Sequence, residues 1–238
     1  MIKLLAFIRR LPGMPSAEFH DYWRTVHAAR YAESDEMRKL IKRYELNHRL
    51  DADYARERED VEMGGPQWDG VAVQWFDSLD AYRQFASHPK RLEISEIDTP
   101  KFRAPEAAFV LTKEADVIVD KSGGRGRSHL KLSCILRRHP SLDLAAFHDH
   151  WLRNHGGLFQ NIAELNEPLL AYDQNHGLDL PGAEYDGVTE QWFESLDAWV
   201  QSLGVESHRT VVEPDVAYFL DPASIQYVIS DQPTVVIG

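Results

Sequence analysis

Apolar positions along the chain switch between two periods. Residues 4–9 form a short apolar run closed by Arg9, Arg10 and Pro12, a pattern that predicts a buried strand stopped by proline. Phe19, Trp23 and His27 then recur at i, i+4 and i+8, one face of a helix with Ser16 as its expected N-cap. A weaker helical patch covers residues 36–41. Residues 44–50 alternate, with Tyr44, Leu46, His48 and Leu50 on one face of a strand and Glu45, Asn47 and Arg49 on the other. An Asp-Gly turn leads into a third strand over 71–76, and Ser78 caps a further helix with Asp80 in its first turn. Strand-like segments at 108–112 and 117–119 end the unit. The predicted order is βαββαβ, the ferredoxin-like arrangement.

The pattern then repeats. Residues 2–50 align without a gap on residues 130–178, at an offset of 128. Phe147, Trp151 and His155 repeat the helical stripe behind Asp143 as N-cap, and Tyr172, Asn175 and His176 repeat Tyr44, Asn47 and His48. After a shorter loop, Asp186-Gly187-Val188, Gln191-Trp192-Phe193 and Ser195-Leu196-Asp197-Ala198 match Asp69-Gly70-Val71, Gln74-Trp75-Phe76 and Ser78-Leu79-Asp80-Ala81. Residues 217–220 and 225–229 stand where the terminal strands are expected. A unit of this length is a domain and not a solenoid repeat, whose periods run about 20–50 residues. The expected organisation is a first repeat over 1–120 with an insertion at 51–67, a linker over 121–128, and a second repeat over 129–238. The fold class is α+β.

A formal net charge of −12 opposes binding to a nucleic-acid backbone, which needs clustered cations. The one basic stretch, 121–127, is Gly-rich and reads as a flexible linker. The charged run 56–60 in the insertion reads as a solvated loop. Cys134 is the only cysteine, which rules out an intrachain disulfide and fits a reducing compartment. The N-terminal apolar run is too short and too soon charged for a signal peptide or a membrane span. A cytoplasmic protein without nucleic-acid or membrane partners is expected.

A strand ending in Arg-Arg-x-Pro, then Phe-x-x-x-Trp-x-x-x-His, Tyr-x-x-Asn-His and Asp-Gly-Val-x-x-Gln-Trp-Phe-x-Ser-Leu resembles the EthD family of the dimeric α/β barrel superfamily. The resemblance implies two ferredoxin-like units packed by their open sheet faces into a barrel, here within one chain. An antiparallel sheet with helices on one face does have a second apolar face to bury. It also implies chemistry of several kinds: cofactor-free cyclases, decarboxylases, dehydratases and monooxygenases on polyketide or aromatic compounds, or haem binding.

The candidate catalytic residues are His27 with His48 and His155 with His176, at the positions that match the family's Trp-x-x-x-His and Asn-His motifs. Paired imidazoles can divide acid and base roles at physiological pH. The alternative is that His27 and His155 cap a helix C-terminus and that His48 and His176 anchor a strand end. Tyr44 and Tyr172 share the strand face of His48 and His176. They are either hydrogen-bond donors to an enolate or core aromatics with a wet tip. Trp23, Trp75, Trp151 and Trp192 are core residues or, with Asn47 and Asn175, the lining of a pocket for a flat substrate. Glu190, which replaces Val73 of the first copy, is either a buried acid or base with a raised pKa or a rim residue. No metal is expected, because His20-Asp21 and His148-Asp149-His150 are adjacent on a helix and diverge by about 100°. Cys134 reads as a small core residue.

The resulting expectation is a cofactor-independent lyase or cyclase doing proton transfer on an aromatic or polyketide-like carbonyl compound. The alternatives are a cofactor-free monooxygenase and a non-catalytic small-molecule or haem-binding accessory protein. A homodimer of the duplicated chain is a further expectation. The insertion, placed as a lid, points to the first copy as the main site.

Overall fold

The computed structural model describes residues 1–56 and 68–238. Among these residues ten strands, β1 (Ile2–Arg10), β2 (Arg43–His48), β3 (Gly70–Phe76), β4 (Arg103–Lys113), β5 (Asp116–Asp120), β6 (Leu130–Leu136), β7 (Leu169–His176), β8 (Gly187–Phe193), β9 (Gln226–Ser230) and β10 (Thr234–Ile237), build two antiparallel sheets. Their orders are β10-β2-β3-β1-β4 and β5-β7-β8-β6-β9. Each is the ferredoxin-like sheet of one repeat plus one strand donated by the other half. β5, inside the span 1–120 read as the first repeat, pairs with β7, while the C-terminal β10 pairs with β2. The stretch read as a flexible linker is docked rather than free. Its helical turn Gly124–Arg127 packs on Leu170, and the Lys121 amide donates to the Leu170 carbonyl at 3.0 Å.

The sheets face each other as a barrel, closed at two seams. Leu178 N–H donates to the Leu111 carbonyl at 2.8 Å, and Leu50 N–H to the Ile229 carbonyl at 2.9 Å. Strand alternation sorts the side chains. Leu5, Phe7, Val71, Val73, Ile135, Val188 and Val228 fill the barrel, while Leu4, Ala6, Ile8, Tyr44 and Leu46 face the helices outside. Both faces are apolar, as the near-continuous runs of β1 and β6 require.

The helices meet most of the expected signals. The hydroxyls of Ser78 and Ser195 accept from the Ala81 and Ala198 amides at 3.1 Å, and Asp143 accepts from Ala146 at 2.7 Å. Ser16 does not cap; it is the first helical residue behind Pro15. Residues 217–220 are not a strand. They end the helix Glu213–Phe219, where Pro214 sits in the first turn and Phe219 packs on Phe147 at 5.7 Å between ring centres. In the insertion, Asp51–Arg56 is helical. The expected solvated run and lid otherwise lie outside the described residues. No helix among the described residues is long and apolar enough to cross a membrane.

Candidate active site

The helical stripe carries a π-turn in each half, Trp23–His27 and Trp151–His155. Such turns interrupt the regular ladder and are frequent at functional positions. Trp23 and Trp151 press on Gly70 and Gly187, where a Cβ would collide with the indole ring, so both copies keep glycine there. The π-turns leave His27 and His155 buried in mid-helix rather than capping a C-terminus.

The expected histidine pairs do not form. His27 packs on Phe102 at 4.7 Å between ring centres and shares no hydrogen bond or ring contact with His48. His48 exchanges a 2.9 Å Nδ1–Nδ1 hydrogen bond with His20 and packs edge-on against Trp23. His176 likewise packs on His148 and Trp151, and its Nε2 meets the Gln174 side-chain oxygen at 3.2 Å. Burial holds these rings neutral, His20 down to about 4 and both His48 and His176 down to about 3.

His27 and His155 instead each pair with an aspartate that sequence reading overlooked. His27 Nδ1 donates to Asp98 at 2.7 Å, and His155 Nδ1 to Asp215 at 2.8 Å. A second donor fixes each carboxylate: Tyr22 OH to Asp98 at 2.8 Å, and His150 Nε2 to Asp215 at 2.7 Å. Arg30 adds a 2.8 Å ion pair to Asp98. The donors hold both carboxyls below their usual range, Asp98 down to about 2, although burial opposes this. Burial outweighs the aspartates at both histidines and lowers their pKa. The result is a neutral imidazole, its Nδ1 hydrogen committed to Asp and its Nε2 lone pair without a partner among the described residues. The offset of 117 that aligns Asp69 with Asp186 also carries Asp98 onto Asp215 and Phe102 onto Phe219. That was the available signal.

Each dyad borders a cavity between its sheet and its helices. The second half's cavity is about 220 Å³, largely apolar, and lined by Trp151, His155 and Tyr172. The first half's is about 90 Å³ and more polar, lined by Trp23, His27 and Tyr44. The larger space lies opposite to where the insertion pointed. Aligned positions explain why: Phe85, packed at 5.0 Å on Phe76, becomes Ser202, and Arg103 becomes Leu220. The Tyr172 hydroxyl accepts from Trp151 Nε1 at 3.3 Å and Gln174 Nε2 at 3.0 Å. Burial pushes the Tyr172 pKa up to about 12 and raises that of Tyr44 as well.

The remaining expected ligand-binding residues face the barrel interior, away from both cavities. Glu190 is neither a rim residue nor a group with a raised pKa. It is 1% exposed and paired with Lys3 and Lys131, and the two ammonium groups drive its pKa down despite burial. Asn47 and Asn175 accept from Lys131 at 3.2 Å and Lys3 at 2.9 Å. Trp75 and Trp192 lie beneath the same two lysines. Cys134 lines the second cavity, its thiol pushed up to about 12 by burial, consistent with an inert core residue. A haem does not fit the larger cavity: its volume falls below the ~300 Å³ at which pockets for larger ligands begin. It also has no Lys or Arg in its lining to meet the porphyrin carboxylates.

The EthD domain profile matches residues 11–106 and 139–223, most of the chain and both halves of it. No curated protein matches. Solved structures share the architecture across nearly the whole chain. An anthrone oxidase-like protein superposes with a TM-score of 0.59 at 13% identity, covering 99% of this chain and 92% of that one. A candidate monooxygenase from Fusobacterium nucleatum gives 0.55 at 5% identity, covering 98% and 92%. A candidate chlorite dismutase gives 0.53 at 10% identity, covering 97% and 93%. At these identities the likeness establishes the fold, a dimeric α/β barrel made from one duplicated chain.

Proposed function

The chain belongs to the EthD family, and on that premise we propose that it is an enzyme whose second half performs proton-transfer chemistry on a small aromatic carbonyl compound. The observation that carries this reading is the Asp215–His155 dyad, whose Nε2 has no partner among the described residues and whose imidazole lines an apolar cavity. An engineered cavity of ~150 Å³ accommodates benzene, so about 220 Å³ suits one substituted ring. In the proposed step, His155 Nε2 takes a proton from the acidic carbon next to the carbonyl. Asp215 stabilises the imidazolium that forms. The Tyr172 hydroxyl, already accepting two hydrogen bonds, donates its own hydrogen to the enolate oxygen. Return of the proton to a hydroxyl on the neighbouring β-carbon, which leaves as water while the enolate collapses to the conjugated carbonyl, completes a dehydration without a cofactor.

A second reading uses the same base. His155 would ionise a phenol, and the phenolate would react with oxygen directly. The names of two structural relatives, an anthrone oxidase-like protein and a candidate monooxygenase, favour keeping it. The test is hydrogen–deuterium exchange at the activated C–H of a panel of aryl ketones and 1,3-dicarbonyls, followed by NMR with an oxygen electrode in parallel. Exchange that requires His155 and consumes no oxygen supports the lyase reading. Oxygen uptake matching turnover replaces it with the oxygenase reading, and neither response from any panel member removes both.

A further inference from the structure

The first half's small cavity holds something the second half lacks: two arginines with little to bind. Arg103 makes no side-chain hydrogen bond or ion pair among the described residues, although it is partly buried. Arg91, also lining the cavity, reaches only the Ala86 carbonyl, at 3.5 Å. Two further polar side chains line the same space, each only 7% exposed and without a side-chain hydrogen bond among the described residues: the Tyr31 hydroxyl and the Gln74 amide. Two guanidinium groups and two neutral donors therefore converge on one small space, an arrangement suited to an anionic acceptor.

Among the described residues no carboxylate lines the cavity. Asp98, the partner of the cavity-lining His27, is engaged by His27, Tyr22 and Arg30. We propose that this cavity is a binding site for a small carboxylate, held between the Arg103 and Arg91 guanidinium groups with Tyr31 and Gln74 as neutral donors. The planar fork of a guanidinium matches the two oxygens of a carboxylate. The volume, about 90 Å³, equals about three water molecules at ~30 Å³ each, enough for formate, acetate or the carboxylate end of a longer molecule. Leu4, Ala6, Ile8 and Phe102 on the other walls suit a short apolar tail and disfavour a hydrated phosphate. The site is a property of the first half alone. At the aligned positions the second half carries Leu220 for Arg103, His208 for Arg91 and Phe159 for Tyr31.

Calorimetric titration of the full chain with formate, acetate and phenylacetate, at constant ionic strength in chloride, tests this. One saturable site with millimolar or tighter affinity is expected. Arg103→Leu should weaken it at least about tenfold and Arg91→His less, while Arg83→Leu, on an exposed arginine paired with Asp80, should leave it unchanged. Tighter binding of phenylacetate than acetate would identify the carboxylate as the end of a larger molecule; equal binding would identify a free small ion. Line broadening of ¹³C-formate by the unmodified protein provides a readout that needs no variant to fold. Absence of saturable binding by either method, binding unaffected by Arg103→Leu in a folded variant, or equal binding of phosphate would overturn the proposal.

Discussion

The two cavities share one scaffold and differ where side chains meet across them. Around the His–Asp dyad, the first half places Tyr31, Phe85, Arg91 and Arg103, and the second places Phe159, Ser202, His208 and Leu220. One large-to-small exchange and the removal of two guanidinium groups turn a tight, cationic space into a wider apolar one. The dyads themselves diverge less. Tyr22 and His150 occupy the same aligned position and donate to the same oxygen of their aspartate, but among the described residues only Asp98 has an arginine as well. Duplication therefore preserved the His–Asp pair in both halves and varied what surrounds it.

The strongest way to break that comparison is to remove the bases separately. Loss of a general base costs typically 10²–10⁴-fold, so His155→Ala and Asp215→Asn should lower turnover by that order. His27→Ala should change it less than tenfold, because the 90 Å³ space has room for the end of a molecule but not for a whole substituted ring beside the base. Equal losses, measured as kcat/KM on whichever substrate the exchange screen identifies, would mean that the halves are not specialised.

Next comes the barrel interior, where the halves differ at Val73 and Glu190. Glu190 neutralises Lys3 and Lys131 at once, and neither lysine has another carboxylate partner among the described residues. Glu190→Gln leaves two buried ammonium groups without a counter-charge and should cost about 3–5 kcal/mol in urea denaturation, the range for a broken buried ion pair. Val73→Glu, which restores symmetry with a second carboxylate, should cost clearly less. The opposite order would show that the interior pairs do not hold the halves together through charge.

Periodicity made the strands, the main helices and the duplication legible, because each sheet buries both faces and each helix buries one. The site was only half legible. His27, His155, Tyr44, Tyr172, Trp23 and Trp151 do meet at the cavities, since their spacing puts them on one helix stripe and one strand face. The pairing of His27 with His48 failed because the π-turn and the strand end hold the two rings apart, His27 on Asp98 and His48 on His20. That distance is not encoded in the spacing of either motif. Asp98 and Asp215 lie in helices without strong periodicity, yet the second alignment offset already joined them. The strand exchange of β5 and β10 left no local signal, because a five-residue apolar strand reads the same whichever sheet receives it.

A more modest effect should follow from swapping the residue that sets cavity size. Ser202→Phe installs the first half's side chain in the second cavity and should raise KM for an aromatic substrate about tenfold or more, with His155 and Asp215 untouched. This follows from the ~1–3 kcal/mol by which a shape change alters fit in an apolar pocket. Phe85→Ser in the first half should destabilise the fold by up to about 3–5 kcal/mol, as for a buried Phe truncated to Ala, without creating activity. Binding measured by tryptophan fluorescence, with Trp151 in the lining, distinguishes a lost pocket from a lost base.

The smallest expected effect concerns acid stability, and its sign is fixed by burial. His20, His48 and His176 titrate at about 4, 3 and 3 in the folded chain, below their ordinary value near 6.5, and His27, His148 and His155 are also lowered. Between pH 6.5 and about 4 the unfolded chain thus binds more protons than the folded one, so stability is full above 6.5 and falls as pH drops through this window. Below pH 4, protonation of Asp98 adds to the loss. Replacing one ring removes its share of the slope. His48→Gln should flatten the melting-temperature curve between pH 6.5 and 4, each 1 kcal/mol corresponding to about 2–4 °C in a chain of this size. His176→Gln should flatten it by a similar amount, because both rings sit against a tryptophan and a second histidine. A curve that steepens in either variant would mean that the native ring is charged in the folded state, and the neutral-histidine picture of both halves would fail.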